Sequence, residues 1–190
     1  AVLLVFSLVP CAFAAGNDKV AADTLHELGL FEGVGVNANG KPNYDLNRAP
    51  TRNEAVTMLV RLLGKEEAAK SGDWEIPFTD VAAWAKPYVG YAYANGLTNG
   101  TSATTYSGNA TITASQYLTF VLRALGYDSS TDFKWNAAWE KSDKIGLTDG
   151  SYNERTKTFL RGDVALISRN ALDVNQKDSS ETLADKLISE

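Results

Sequence analysis

Apolar residues recur at helical spacing in one stretch, residues 50–64, that carries a helix-starting and a helix-ending signal. Thr51 and Glu54 have the spacing of a capping box, in which each side chain accepts a hydrogen bond from a backbone N–H of the first turn. Gly64 stands where a left-handed C-terminal cap would end the helix. The apolar positions fall on one face: Ala55, Met58, Leu59, Leu62 and Leu63. The stretch therefore predicts one amphipathic helix.

The same pattern returns twice further along the chain. Residues 112–126 repeat it, with Thr113 and Gln116 at the two capping positions and a glycine at the end. Residues 159–173 repeat it less completely, because Leu160 stands at the N-cap position and its side chain cannot accept a hydrogen bond. The sequence therefore predicts three capped helices, of which the third has the weakest start.

Another predicted helix precedes each capped helix and ends in a Gly-Leu pair. A glycine at the C′ position followed by an apolar residue is typical of the Schellman motif. The polar loop between the two helices of each unit is expected to hold a short extended segment. Repeats of about 50 residues bury their faces against one another, so we expect one shared core. The three pairs are Gly29-Leu30, Gly96-Leu97 and Gly146-Leu147.

Composition and charge narrow the possibilities further. The chain has 190 residues, 44% of them hydrophobic and 22% charged, as is typical of a soluble globular protein. The net charge of −5 and the lack of a basic run argue against a nucleic-acid-binding surface. We expect three units at residues 18–70, 76–127 and 132–174, and a polar C-terminal tail at residues 175–190.

Residues 1–14 are expected to be a secretory signal peptide whose basic n-region is missing. Residues 2–9 are nearly all apolar, and residues 12–14 have the small-residue pattern of a cleavage site. The apolar run is too short to span a bilayer, which disfavours a truncated membrane anchor. Cys11, the only cysteine, lies inside this segment. Cleavage after Ala14 would leave an exported chain with no membrane segment and no cysteine for thiol chemistry.

The second unit carries a recognisable order of residues. It reads Phe78-Thr-Asp-Val81, Trp84, Tyr88, Gly96-Leu97, Gly100, Tyr106, Ile112-Thr113 and Leu125-Gly126. This order resembles the S-layer homology (SLH) repeat, a family with Thr-Arg-Ala-Glu at the start of its second helix. Residues 51–54 match that motif with one substitution, residues 160–163 keep the arginine and an acid, and residues 113–116 keep only the threonine. The resemblance covers roughly residues 20–173.

The resemblance implies a mainly α fold, with three tandem helical hairpins in a pseudo-three-fold assembly. It also implies an exported protein held non-covalently on the bacterial cell wall, without a cofactor. The ligand in that family is a secondary cell-wall polysaccharide, often bearing pyruvate ketals, or in some lineages a modified peptidoglycan. In that family the arginines of the motif line grooves between neighbouring repeats and bind the negative groups of the polymer.

Arg52 and Arg161 are the leading candidate ligand-binding residues. Each stands at a first helical position, where the helix dipole disfavours a cation by roughly 0.3–1 kcal/mol. Free N–H groups at a helix start and a guanidinium together favour a carboxylate or phosphate. The alternative is a solvated arginine paired with a nearby acid. Glu54 and Asp163 supply the acid of the same motif, and for Glu54 capping is a full structural explanation.

Asp80 and Trp84 complete the set of candidate ligand-binding residues. Trp84 is placed at a groove edge, where it could stack on a sugar ring, although tryptophans on amphipathic helices usually pack in the core. Ala114 replaces the arginine in the second unit, so we expect two working sites, or one strong and one weak. We also expect Arg52→Ala and Arg161→Ala to weaken wall binding without unfolding the protein, because neither arginine lies on the predicted apolar face.

No catalytic constellation stands out, so we expect a binding module rather than an enzyme. His26 is the only histidine, which leaves no histidine-based metal cluster. The alternatives are the targeting part of a wall hydrolase whose catalytic domain is not in this chain, and a protein-interaction scaffold. A self-assembling surface-layer subunit is a weaker option. The sequence leaves the oligomeric state open.

Overall fold

A computed structural model describes residues 17–189 of the chain. The expected signal peptide and Cys11 lie outside the described residues. The α-helices are α1 (Asn17–Glu27), α2 (Arg52–Leu62), α3 (Glu66–Ser71), α4 (Lys86–Ala94), α5 (Ala114–Ala124), α6 (Ala138–Lys144), α7 (Arg161–Leu172) and α8 (Leu183–Ser189). Short 3-10 helices at Ala83–Ala85 and Trp135–Ala137 lead into α4 and α6. Within residues 17–189, β pairing is limited to three isolated bridges, which confirms the mainly α class.

The predicted caps form at the starts of α2 and α5. Thr51 Oγ1 accepts from the Glu54 N–H at 3.2 Å, and the Thr51 N–H donates to Glu54 Oε2 at 2.8 Å. Thr113 and Gln116 exchange the same pair of bonds at the start of α5. At the start of α7 only half of the box forms, since the Leu160 N–H donates to Asp163 Oδ2 at 2.7 Å without a reciprocal side-chain bond. The weak third start is confirmed.

The predicted Gly-Leu helix ends also form. Gly29, Gly96 and Gly146 have φ values of 73°, 70° and 75°, in the left-handed region. The leucine that follows each glycine donates its N–H back into the preceding helix, at 2.8, 2.8 and 2.9 Å. These bonds reach carbonyls that the helix itself cannot satisfy, which is the Schellman arrangement.

The capped helices α2, α5 and α7 contact one another pairwise in the centre of the fold. Each also packs on a shorter helix from another part of the chain: α2 on α4, α5 on α6, and α7 on α1. Their apolar faces join one hydrophobic core, in which Leu59, Leu118 and Ile167 are fully buried. The expectation of a shared core is therefore confirmed, while the pseudo-three-fold assembly and the unit boundaries stay predictions.

The starts of two capped helices dock on loops of other units. The N–H groups of Arg52 and Asn53 donate to carbonyls of Ala110 and Gly108, both at 2.9 Å. Those of Arg161 and Gly162 donate, also at 2.9 Å, to carbonyls in the loop before α2. A Cβ at residue 108 would collide with the Asn53 side chain, so the buried Asn53 amide would have to shift to make room for it.

The C-terminal segment packs on the fold as well. Leu183 of α8 is buried, and the Lys177 N–H donates to the Leu125 carbonyl at the end of α5, at 2.8 Å. Lys177 Nζ also pairs with Asp132 at 2.8 Å. The predicted polar tail is thus a docked helix and turn over its described residues. None of the helices in residues 17–189 has the length and apolar character needed to cross a membrane.

We expect Leu62→Ala to destabilise the fold by about 2–5 kcal/mol, because the truncation leaves a cavity in the shared core. Leu62 is 1% exposed, whereas Leu28 is 48% exposed and provides a matched Leu→Ala control. Urea unfolding followed by circular dichroism measures both changes. Equal unfolding midpoints for the two variants would contradict the shared core.

Candidate ligand-binding grooves

Two grooves lie between parts of different units, and each combines the same four structural parts. Groove A is bounded by the start of α2, the loop at residues 99–101, one face of α5 and Trp135, and it encloses about 330 Å³. Groove B is bounded by the start of α7, the loop at residues 32–34, one face of α2 and Trp84, and it encloses about 190 Å³. The fold therefore builds a similar concave site twice.

Three polar positions recur in the two grooves. The first is an arginine at the first position of a capped helix. The other two lie on the face of the neighbouring capped helix, one at its capping-box position and one in its last turn. The residues are Arg52, Gln116 and Arg123 in groove A, and Arg161, Glu54 and Arg61 in groove B. The capping-box position thus carries a neutral amide in groove A and a carboxylate in groove B.

Arg52 is buried between two aromatic rings. Its side chain is 8% exposed, and its guanidinium lies 4.8 Å from the ring centre of Tyr106 and 5.0 Å from that of Phe120. Nη2 donates to the Asn99 carbonyl at 2.9 Å, while Nε is buried without a hydrogen-bond partner among the described residues. Burial lowers the pKa of Arg52, so the guanidinium is a desolvated cation.

Arg161 is held in a similar way at groove B. It is 4% exposed, and its guanidinium lies 5.6 Å from the Phe31 ring centre. Nε donates to the Tyr44 carbonyl at 2.7 Å, and Nη2 donates to the Glu32 carbonyl at 3.2 Å. Both motif arginines therefore tie one unit to the loop of another, and neither is the solvated arginine of the alternative interpretation.

Two expectations about these arginines need correction. The free N–H groups expected at the helix starts are already used, because those of Arg52 and Arg161 donate to loop carbonyls. The helix starts therefore do not provide an anion site by themselves. The premise of the second expectation, that neither arginine packs in the fold, also needs correction, because both side chains are buried and hydrogen-bonded. The effect of Arg52→Ala and Arg161→Ala on folding stays a prediction. What faces the grooves is the charge of the guanidinium groups.

Groove A holds two positive charges and no carboxylate among the residues that line it. Arg123 lies half-buried on α5, where Nη2 donates to Ser129 Oγ at 2.8 Å. Burial lowers the pKa of Arg123, and the charge of Arg52 lowers it further. An arginine still stays protonated at neutral pH, so the groove carries two cations that repel each other. A bound anion would relieve this repulsion.

Groove B also holds two arginines, Arg61 and Arg161, but carboxylates compensate their charges. Arg61 pairs with Glu32 at 2.8 Å and with Glu66 at 3.0 Å. Burial lowers the pKa of Arg61, but the hydrogen bond and charge of Glu66, with Glu32, outweigh it and raise the pKa overall. Glu54 also lines the groove and pairs with Arg48 at 2.7 Å. Groove B is therefore close to electrically neutral.

The structure brings together some of the predicted site residues and separates others. Glu54, Trp84 and Arg161 all line groove B, whereas Arg52 lines groove A. Trp84 is 54% exposed, which fits its expected place at a groove edge.

Two predicted acids lie in neither groove. Asp80 accepts the N–H groups of Tyr106 and Ser107 at 2.7 and 2.8 Å, bonds that lower its pKa. Asp163 accepts from the Tyr152 hydroxyl at 2.9 Å and caps α7. Both carboxylates hold a loop or a helix start in place.

The sequence interpretation did not select Arg61, Arg123 or Trp135. A usable signal was present, since each of the two arginines stands three residues before the glycine that ends its helix. This repeated cation at an equivalent position predicts a shared role. Trp135 carries no such signal, because its place beside groove A depends on the packing of α5 against the 3-10 helix before α6.

Comparison with known proteins gives one family and several relatives. The family model described as "S-layer homology domain" matches residues 77–117, within the second expected unit. The chain is 32% identical to "Cell surface protein" of Thermoanaerobacter kivui, across 98% of this chain and 26% of that protein. It is 27% identical to "Middle cell wall protein" of Brevibacillus brevis, across 94% of this chain and 18% of that protein.

A third relative is named as an enzyme. The chain is 28% identical to "Endoglucanase" of a Bacillus species, strain KSM-635, across 51% of this chain and 12% of that protein. The chain thus spans 26% or less of the length of these relatives. The names of the two longest matches confirm the expected location at the bacterial cell surface.

We expect Arg161→Ala to destabilise the fold by about 1–3 kcal/mol, because it leaves buried carbonyls without their donors. Arg155 in the same unit is exposed, and Arg155→Ala is the matched control, with an expected change within about 0.5 kcal/mol. Urea unfolding measures both variants. Equal free energies of unfolding would show that the buried guanidinium does not hold the units together.

The ion pair behind groove B predicts a pH dependence of stability. The hydrogen bond from Arg61, opposed by burial and helped by Tyr88 and Lys70, lowers the pKa of Glu66 from 4.5 to about 2. A carboxylate with a lowered pKa stabilises the fold above its unfolded value and loses this contribution as the pH falls through the folded value.

Glu66→Gln should therefore flatten the decline in the free energy of unfolding between about pH 4.5 and pH 2. Glu67→Gln is the control, since the side chain of Glu67 is 92% exposed. Chemical unfolding at a series of pH values makes the comparison. A decline of unchanged slope in Glu66→Gln would count against the pairing with Arg61.

Proposed function

Because the chain belongs to the S-layer homology domain family, we propose that it anchors an exported protein by binding an anionic secondary cell-wall polysaccharide. Anchoring to the cell wall in general follows from the family and from relatives at the cell surface. We further propose that this polymer carries anionic groups such as pyruvate ketals and that it binds in the two grooves.

The observation that carries this proposal is the unbalanced charge of groove A. Arg52 and Arg123 face one cavity that no carboxylate lines. A guanidinium binds a carboxylate through two parallel hydrogen bonds, and it does so most strongly where water is partly excluded. A pyruvate ketal presents such a carboxylate directly on a sugar ring. Trp135, which is 60% exposed at the same groove, offers a flat apolar surface for that ring.

We propose that this role involves no catalysis. Glu32 and Glu54 both line groove B, and two carboxyl groups are what glycoside hydrolysis requires. One of the two must be protonated near neutral pH to act as the acid. Burial raises the pKa of Glu54, but Arg48 and Thr51 outweigh it and lower the pKa overall, so this group stays ionised. Among residues 17–189, no three metal-binding side chains lie together.

A second candidate function is favoured by one comparison. The similarity to an endoglucanase fits the targeting part of a longer wall-acting hydrolase, since the chain covers 12% of that protein. In both candidates the chain itself binds the wall. A protein-interaction scaffold is the remaining alternative, and co-sedimentation with purified cell walls distinguishes it from wall binding.

We also propose that residues 18–70, 76–127 and 132–174 are three S-layer homology repeats. The support is the pairing of elements, because each range holds one helix with a Gly-Leu end and one capped helix: α1 with α2, α4 with α5, and α6 with α7. The third repeat departs most, with Leu160 in place of the capping threonine. Ala114 leaves the second repeat without a motif arginine.

We expect Arg123→Gln to weaken binding to purified cell walls by roughly tenfold or more, because a charge-assisted contact is lost. The side chain is half-buried and makes few bonds, so the variant is expected to fold. Arg169→Gln is the matched control, since Arg169 stands in the last turn of α7 and pairs with Asp173 away from both grooves. Co-sedimentation with walls of the source bacterium measures binding, and circular dichroism checks folding.

The same assay with chemically stripped walls identifies the ligand. Binding that disappears when the secondary polymer is removed supports the proposal. Binding that survives stripping points to peptidoglycan instead. No binding to either wall overturns the anchor and leaves the scaffold as the better explanation.

A further inference from the structure

We propose that the two grooves bind different sugars of one wall polymer, an anionic residue in groove A and an uncharged residue in groove B. This inference rests on the proposed function, because it assumes that groove A binds the anionic residue. It goes further by assigning a separate ligand class to groove B. Three features of the molecule support it: the two grooves have equivalent positions, carboxylates compensate the arginines of groove B, and groove B has an exposed apolar surface.

The equivalence of the grooves makes their difference meaningful. Each groove has an arginine from a helix start and another from the last turn of a capped helix. They differ at the capping-box position, which is Gln116 in groove A and Glu54 in groove B. Glutamine and glutamate both complete a capping box, so capping alone does not decide between them. The choice instead changes the charge that a ligand meets.

The charge of groove B disfavours an anion. Glu32 and Glu54 line it, and both are engaged with arginines, at 2.8 Å to Arg61 and 2.7 Å to Arg48. An incoming carboxylate would have to displace Glu32 from Arg61 and lie beside Glu54. Either event costs Coulomb energy that groove A does not impose.

The surface of groove B suits an uncharged sugar. Trp84 is 54% exposed and Val34 is 52% exposed, so an apolar surface faces the opening. Ionised carboxylates can only accept hydrogen bonds. The hydroxyl groups of a sugar can donate to the carboxylate lone pairs that the arginines leave free. A sugar ring can therefore stack its apolar face on Trp84 while its hydroxyl groups donate to the carboxylates of Glu32 and Glu54.

Each groove contains one exposed tryptophan, and this makes the inference testable groove by groove. The indole N–H signals of Trp84 and Trp135 are recorded by NMR on the ¹⁵N-labelled chain. Trp84→Phe and Trp135→Phe assign the signals, because each substitution removes one. The two probes are the methyl glycoside of an uncharged hexose and the same glycoside carrying a pyruvate ketal.

The expected result is that the ketal changes affinity in opposite directions at the two grooves. Adding the ketal should strengthen binding at Trp135 by about tenfold, because no carboxylate in the groove A lining compensates its two arginines. It should weaken binding at Trp84 by about tenfold, because the arginine charges of groove B are already compensated and the added charge lies beside Glu32 and Glu54. If the ketal strengthens binding at both tryptophans, the inference is overturned while the proposed function stands. If the ketal-bearing probe leaves the Trp135 signal unmoved, the proposed function itself fails.

Two substitutions that change the charge of one groove test whether carboxylates determine which sugar each groove binds. Gln116→Glu keeps the capping box and should weaken binding of the ketal-bearing probe at Trp135 by about tenfold. Glu32→Gln removes one of the two carboxylates that pair with Arg61, while Glu66 remains, and it should strengthen binding of the same probe at Trp84 by a similar factor. Each variant serves as the control for the other, because the unaltered groove should keep its affinity. Unchanged affinity at both altered grooves would also overturn the inference.

Discussion

The docking of a helix start on the loop of another unit is the contact on which the rest of the structure depends. The N–H groups of Arg52 and Arg161 bond to loop carbonyls, and the side chains of the same residues cross to other loop carbonyls. One residue thus joins two units through its backbone and its side chain. The grooves exist because these contacts hold a helix face and a loop at a fixed separation, so the residues that stabilise the fold also line the proposed binding sites.

The sequence predicted local structure well where local chemistry decides it. The capping boxes at Thr51 and Thr113 and the left-handed Gly29 need only neighbours within a few residues, and all three form. The burial of Arg52 could not be predicted in this way, because its aromatic partners, Tyr106 and Phe120, come from a distant part of the chain. Helical spacing places an arginine on a face, but it does not show what covers that face.

The candidate site was predicted in part for the same reason. Trp84 and the motif arginines were selected from motif positions, and they do line grooves. Arg123 was missed because its proposed role depends on the lack of a carboxylate among the residues that line groove A, which is a property of the folded surroundings. Its counterpart Arg61 has the same sequence position, yet Glu32 and Glu66 compensate its charge. Residue type and spacing thus selected some of the residues that line the two grooves, while long-range packing set the electrostatics of the grooves.

The packing of α1 on α7 has a consequence for how the chain acquires its fold. These two helices lie near opposite ends of the described chain, and the side of α1 that holds Leu25 is buried against the shared core. A contact between such distant segments carries a loop-closure cost that contacts between neighbouring segments do not, so we expect it to form after them. The buried side of α1 cannot be covered before α7 has been synthesised. A chain cut before α7 would therefore leave Leu25 and its neighbours on α1 without the surface on which they pack.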